Sequence, residues 1–328
     1  MTHYAPLVAA LVTMFLIVIL LVSRMGKEMQ DHPNERSLHD TPIPRIGGVG
    51  LMGGILSGWA LMFKSLVWWV VLPTILLFAV SLLDDMHNLP VRKRLLVHFF
   101  AAAILVIGAG ILWQSAILAL LVLLYAVWMT NLYNFMDGSD GMAGGMTLFG
   151  FSMYGAAALM HGDEIQAMLN FSIGAAALGF LYYNFHPAKV FMGDAGSIPL
   201  GFLSAAMGVW GWQNGHWPAW FPLLVFSPFV VDATVTLARR TLRGARITEA
   251  HREHYYQRLI QMGCGHRDAA RLEYLLMFGA GVSALWTMRI SSGLPWLLFL
   301  AWAGIYAALM LILDWRWKIF QRGLHGQD

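Results

Sequence analysis

Eleven times along the chain, a run of apolar residues long enough to cross a bilayer gives way to a short segment where the charges gather. A helix needs about 20 mostly apolar residues to span the hydrocarbon core. The runs cover 5–23, 47–63, 67–83, 96–113, 115–130, 143–160, 166–183, 197–212, 218–237, 273–288 and 295–313. Of the 328 residues, 58% are hydrophobic and only 12% charged, whereas soluble domains carry about a quarter charged. Too few polar side chains remain to cover a water-facing surface. Cys264 is the single cysteine, which excludes a disulfide-stapled secreted scaffold. The pattern predicts an all-α integral membrane protein of about eleven transmembrane helices. One polytopic domain is expected over 1–328, with a large basic loop at 238–272. The first run reads as a retained anchor, with no positive n-region before it and no small-residue cleavage site after it.

Eleven spans put the termini on opposite sides, and the basic residues choose which. With the N-terminus periplasmic and the C-terminus cytoplasmic, 19 of the 21 Lys and Arg face the cytosol. They include Arg24, Lys27, Arg36, Arg45, Arg92, Lys93, Arg94 and Lys189, the eight arginines of the 238–272 loop from Arg239 through Arg246 to Arg271, and Arg316, Lys318 and Arg322. Only Lys64 and Arg289 fall outside. Such asymmetry is the positive-inside rule. The net charge of +3 therefore reflects topology and anionic lipid heads, not nucleic acid.

Carboxylates share the bias. Asp163 and Glu164 lie outside, whereas Asp84, Asp85, Asp137, Asp140 and Asp194 sit at cytosolic helix ends and Asp232 falls within a span. Charges at membrane depth are costly and mark function. Asp84-Asp85 opens the loop to Arg94; it is either a solvated loop whose acids balance three bases or a pair of hard oxygen ligands for Mg²⁺. Asn131-x-x-Asn134-x-x-Asp137-Gly-x-Asp140-Gly brings two amides and two carboxylates to one turn, more polar equipment than a plain capped turn needs. Asn184 to Ser197 holds Lys189 and Phe191, then Asp194 bracketed by Gly193 and Gly196 at a helix start, where phosphate is favoured. His251-Arg252-Glu253-His254 sits in the basic loop, which is either an amphipathic positive-inside helix or a phosphate-binding element. The bases Arg45, Arg92 and Lys189 complete the inventory. Residues alone point to phosphoryl transfer onto a membrane-embedded acceptor at the inner leaflet. His87, His98 and His266 carry no assignable role.

At these positions the chain resembles the polyprenyl-phosphate N-acetylhexosamine-1-phosphate transferases. These initiate common antigen and O-antigen, and include the muramoyl-pentapeptide translocase of peptidoglycan synthesis. The resemblance runs from Pro44-Arg45-Ile46-Gly47-Gly48 to the His254 loop. It rests on the order Asp-Asp, Asn-x-x-Asn-x-x-Asp-Gly-x-Asp-Gly, Phe-Met-Gly-Asp-x-Gly-Ser. Eleven spans look like the O-antigen branch, whereas the peptidoglycan translocase has ten.

The resemblance implies a Mg²⁺-dependent enzyme (Mn²⁺ as substitute) of the bacterial inner membrane, using a UDP-N-acetylhexosamine and undecaprenyl phosphate. Asp84 and Asp85 match the pair assigned to acceptor activation and the metal, and Asp194 the metal ligand. Asn134, Asp137 and Asp140 match the nucleotide-sugar site, with Asp137 and Asp140 also expected to be catalytic and Asn131 to bind substrate, and Phe191 matches the aromatic that packs on uracil. His254 matches the first histidine of a His-x-His-His element, but Tyr256 and Gln257 replace the two that follow. That departure points away from a muramoyl-pentapeptide donor and toward GlcNAc, FucNAc or QuiNAc in O-antigen lipopolysaccharide synthesis. A homodimer is expected from the peptidoglycan homologue. One-step attack and an aspartyl-phosphate intermediate both stay open. Two rivals differ in kind. A transporter calls for mid-membrane charges and symmetric repeats, but Asp232 alone lies deep and no repeat is visible; a UbiA-like Mg²⁺ prenyltransferase calls for two Asn-Asp-x-x-x-Asp helices, which the chain lacks.

Overall fold

The computed structural model describes residues 2–33, 41–245, 251–290 and 294–325. Arg36 and Arg246, two of the bases placed in the cytosol, lie outside these. The described chain is helical apart from a two-residue ribbon, β1 (Gln30–Asp31) with β2 (Ile43–Pro44). The helices are α1 (Ala5–Val22), α2 (Arg24–Glu28), α3 (Gly47–Ala60), α4 (Trp68–His87), α5 (Val91–Gly108), α6 (Ala116–Phe135) and α7 (Met142–Met160). They continue with α8 (Glu164–Asn184), α9 (Asp194–Gln213), α10 (Phe221–Val225), α11 (Ser227–Leu242), α12 (Tyr255–Leu259), α13 (His266–Met288) and α14 (Leu294–His325).

Each of the eleven apolar runs falls on helix. Among the described residues, six helices are long and apolar enough to cross a membrane on their own: Thr2–Val22, Trp68–His87, Ala116–Phe135, Met142–Met160, Glu164–Asn184 and Pro295–Gly323. Three of the other five runs depart for visible physical reasons. α3 has 14 residues, about 21 Å of rise against a core of about 30 Å. α5 opens on Arg92, Lys93 and Arg94. The 218–237 run is broken at Phe226 into α10 and α11, with Pro222 and Pro228 in their first turns.

α9 is the axis of the bundle. Every residue from Ala195 to Val209 is buried, packed by α3, α4, α6 and α7. In lipid, helices associate through close packing of small residues, and here that is literal. A Cβ on Gly48 would stand 2.3 Å from the Gly196 nitrogen, so α3 and α9 meet backbone to backbone. α3 is also tied to the segment before α9: Gly47 N–H donates to the Phe191 carbonyl (2.9 Å) and Gly48 N–H to that of Met192 (2.8 Å).

Two sequence expectations shift. Asp84 and Asp85 do not open a loop; α4 runs on to His87 and ends where Asn88 takes a left-handed φ of 51°. The basic loop is shorter than 238–272, because α11 extends to Leu242 and α13 begins at His266, with α12 between them.

Candidate active site

Four helix ends meet on one face. The end of α4 brings Asp84, the start of α5 Arg94, the end of α6 Asn134 and the start of α9 Asp194. Arg94 Nη1 donates to Asp84 Oδ2 at 2.7 Å and to Asp194 Oδ2 at 3.0 Å. The other Asp84 oxygen accepts from Leu89 N–H (2.6 Å). Asn134 Nδ2 donates to Asp194 Oδ1 (2.7 Å) and Ser197 Oγ (3.0 Å). Asp137 lies in the turn after α6, where burial and then the charges of Asp194 and Asp85 push its carboxyl well above the usual carboxylate range.

The adjacent acids of the pair do different things. Asp85 accepts from the backbone N–H groups of Asp194 (3.1 Å) and Ala195 (2.8 Å), capping α9 from another helix and satisfying donors that a helix start leaves free. Gly193 makes room for it. Its φ is 70° and a Cβ there would lie 2.9 Å from Asp85 Oδ2. Arg45 stands close enough to feel the Asp85 charge, and its buried Nε has no hydrogen-bond partner.

The donors suit a divalent cation. Two carboxylate oxygens already converge on one positive group, and Mg²⁺ is commonly held by one or two carboxylates with water and substrate phosphates completing its shell. Among the described residues no group of three or more acids, histidines or cysteines is placed to hold a metal ion, so water and substrate phosphates would have to complete the shell around two carboxylates.

Asp140 does a different job from Asp194. It accepts from the His186 ring (2.7 Å) and Ala188 N–H (3.1 Å), holding the loop that leads to Lys189 and Phe191. Ser139 reaches His266 at 2.9 Å, and the His186 and His266 rings stack 5.4 Å apart. Lys189 is exposed and Phe191 half-buried. Asn131 spends its amide on the Val127 carbonyl (2.7 Å) and lies beside the buried His98.

The His254 loop is latched to this face by Asp232. One oxygen of Asp232 takes His254 Nδ1 (3.2 Å), Tyr255 N–H (3.0 Å) and Thr236 Oγ1 (3.0 Å), and the other Tyr256 N–H (3.1 Å). Tyr256 then donates from its hydroxyl to the Phe135 carbonyl (3.3 Å), and the Phe135 and His254 rings stack 6.5 Å apart. His251 follows at 5.0 Å from His254, while Arg252 is exposed.

Arg94, and not the Arg92 that the sequence favours, reaches the acids. Arg92 is exposed, and two positions along a helix point about 200° apart, so only one of them faces the acids. Asp232 and His266 were likewise seen without a role, because their partners are distant in sequence.

Residues 67–211, which hold the Asp84 to Asp194 machinery, match the family described as Glycosyl transferase family 4. The decaprenyl-phosphate N-acetylglucosaminephosphotransferase of Mycobacterium tuberculosis is 30% identical over 86% of this chain and 82% of its own. The chain belongs to glycosyl transferase family 4. A probable undecaprenyl-phosphate N-acetylglucosaminyl 1-phosphate transferase of Bacillus subtilis is 28% identical over 85% of this chain and 84% of its own. The phospho-N-acetylmuramoyl-pentapeptide-transferase of Symbiobacterium thermophilum reaches 46% identity, but over 27% of each chain. This transferase is thus a multi-pass membrane enzyme, and membership of the family removes the transporter and aromatic prenyltransferase readings.

Proposed function

We propose that the transferase moves an N-acetylhexosamine 1-phosphate from a UDP-sugar to undecaprenyl phosphate. UMP is released and an undecaprenyl-diphospho-sugar stays in the bilayer. One observation carries the proposal: Asp84 and Asp194, from the ends of two helices, share the Arg94 guanidinium, while Asn134 from a third helix end holds Asp194 and Asp137 lies near enough to feel its charge. Such a place suits two anions that must approach each other. Relatives named for N-acetylglucosamine phosphate transfer favour GlcNAc as the sugar, and FucNAc and QuiNAc donors share its N-acetyl group and diphosphate. The product suits the first step of an O-antigen or other envelope glycan. The proposed topology has eleven crossings, a periplasmic N-terminus and the carboxylates on the cytosolic side of the inner membrane.

In the reaction, an acceptor phosphate oxygen attacks the β-phosphorus and the bond to UMP breaks, its electron pair leaving with UMP. The acceptor monoester has a second pKa near 6 and is mostly dianionic at neutral pH, so little general-base help is needed. Bound Mg²⁺, or Mn²⁺ in its place, supplies charge neutralisation for the diphosphate. Asp84 and Asp194 are the residues to hold it. Asp85 fixes the first turn of α9 and so positions Asp194. Arg94 is the nearest guanidinium for phosphate oxygens, and Asp140 and Asp232 hold the Phe191 and His254 segments in place.

Purified transferase with undecaprenyl phosphate and UDP-GlcNAc, UDP-FucNAc or UDP-QuiNAc should release UMP only with both acceptor and Mg²⁺. Release from none of the three donors overturns the proposal.

A further inference from the structure

A separate cavity of about 410 Å³ lies on the other side of α12, between the end of α11 and the lower part of α14. Two neighbouring residues divide it from the carboxylate cluster. Tyr256 faces Phe135, whereas Tyr255 faces the cavity side, its ring 5.5 Å from the Arg239 guanidinium and 5.2 Å from that of Arg258.

Four cations line the cavity, Arg239, Arg243, Arg258 and Lys318, against two carboxylates, Glu253 and Asp314. The acids are already engaged. Asp314 accepts from Arg239 Nη1 (2.6 Å) and Arg258 Nη1 (3.1 Å), and Glu253 pairs with Arg240 and stands 3.7 Å from Arg243. Lys318 has no ion-pair partner among the described residues. Arg258 is 5% exposed, fixed between the Tyr255 and Trp317 rings, and its buried Nε has no hydrogen-bond acceptor. Its Nη1 is spent on Asp314, but a rigid, buried guanidinium with one donor unused calls for a further acceptor.

The depth identifies the source of that anion. The apolar part of α14 ends with Leu311-Ile312-Leu313, and Asp314-Trp315-Arg316-Trp317-Lys318 follows, the mix of aromatic and basic residues found at a membrane–water boundary. Basic pockets between helices at that level take anionic lipid head groups. We infer that this cavity binds a phosphodiester monoanion, the head group of an anionic phospholipid of the same leaflet, with Arg243, Lys318 and the Arg258 Nε meeting its oxygens.

The test places full-length protein in phosphatidylcholine nanodiscs with or without phosphatidylglycerol, and counts retained lipid by native mass spectrometry. The wild type should keep phosphatidylglycerol in preference to phosphatidylcholine. The double variant Arg243→Gln, Lys318→Gln, which leaves both Asp314 pairs intact, should hold it about tenfold or more weakly, with UMP release in phosphatidylcholine discs unchanged. A thermal shift with inorganic phosphate in detergent, lost in the double variant and without any lipid preference, overturns the lipid source in favour of soluble phosphate. Equal retention of both lipids without a phosphate effect, or equal retention by wild type and variant, overturns the site.

Discussion

Among the described residues, Arg94 is the cation shared by Asp84 and Asp194, so its loss leaves two facing carboxylates without compensation. Arg94→Gln is expected to lower UMP release about 10²–10³-fold, the scale seen when a charge-stabilising donor is removed. A variant within about twofold of wild type would remove Arg94 from the site. Asp194→Asn keeps the hydrogen bond from Asn134 but weakens a hard oxygen donor, and Mg²⁺-dependent UMP release should vanish; full activity would sink the metal assignment. His251 offers a pH test. Burial, then the neighbouring His254 and Arg240, lowers it to about 4 from an ordinary 6.5. The folded state therefore prefers the neutral ring. That contribution is whole above pH 6.5 and is lost as pH falls from 6.5 through 4. Thermal midpoints measured across that window should fall more steeply for wild type than for His251→Gln, and parallel curves would refute it.

At the scale of elements, the contact of α3 with α9 allows no side chain. Gly48→Ala forces its Cβ to 2.3 Å from the Gly196 nitrogen, so backbone must move and the Asp194 turn with it. Stability in detergent should drop by about 1–3 kcal/mol and UMP release with it, read by thermal unfolding and turnover of the same sample. Much of this was legible in the chain. The Asp-Asp pair, the Asn and Asp spacing after α6, and the glycines around Asp194 mark helix ends, and apolar runs locate the helices that bear them. What spacing does not encode is phase and distant pairing. Arg92 and Arg94 are equivalent in a run of three bases until the first turn of α5 fixes which one faces inward. In sequence Asp85 is a twin of Asp84, yet its oxygens are spent on backbone groups 109 and 110 positions away. Asp232 stood out by its depth, but that it caps α12 depends on a fold-back of 23 and 24 residues.

The whole molecule has an accessible marker of its sidedness. Cys264 follows α12 and is partly exposed, on the side where α6, α11 and the carboxylates end. A membrane-impermeant maleimide should label it in inverted vesicles and not in intact cells with a permeabilised outer membrane. The reverse pattern would invert the proposed topology. Burial and the nearby Asp268 charge raise its thiol pKa, so labelling should be faster at alkaline pH. The guanidinium between Asp84 and Asp194 has a practical consequence. The chain brings its own counter-ion, so folding does not wait on a metal, and the protein should survive purification and storage in chelator. Turnover stripped away by EDTA ought then to return at once on adding Mg²⁺, with no refolding lag.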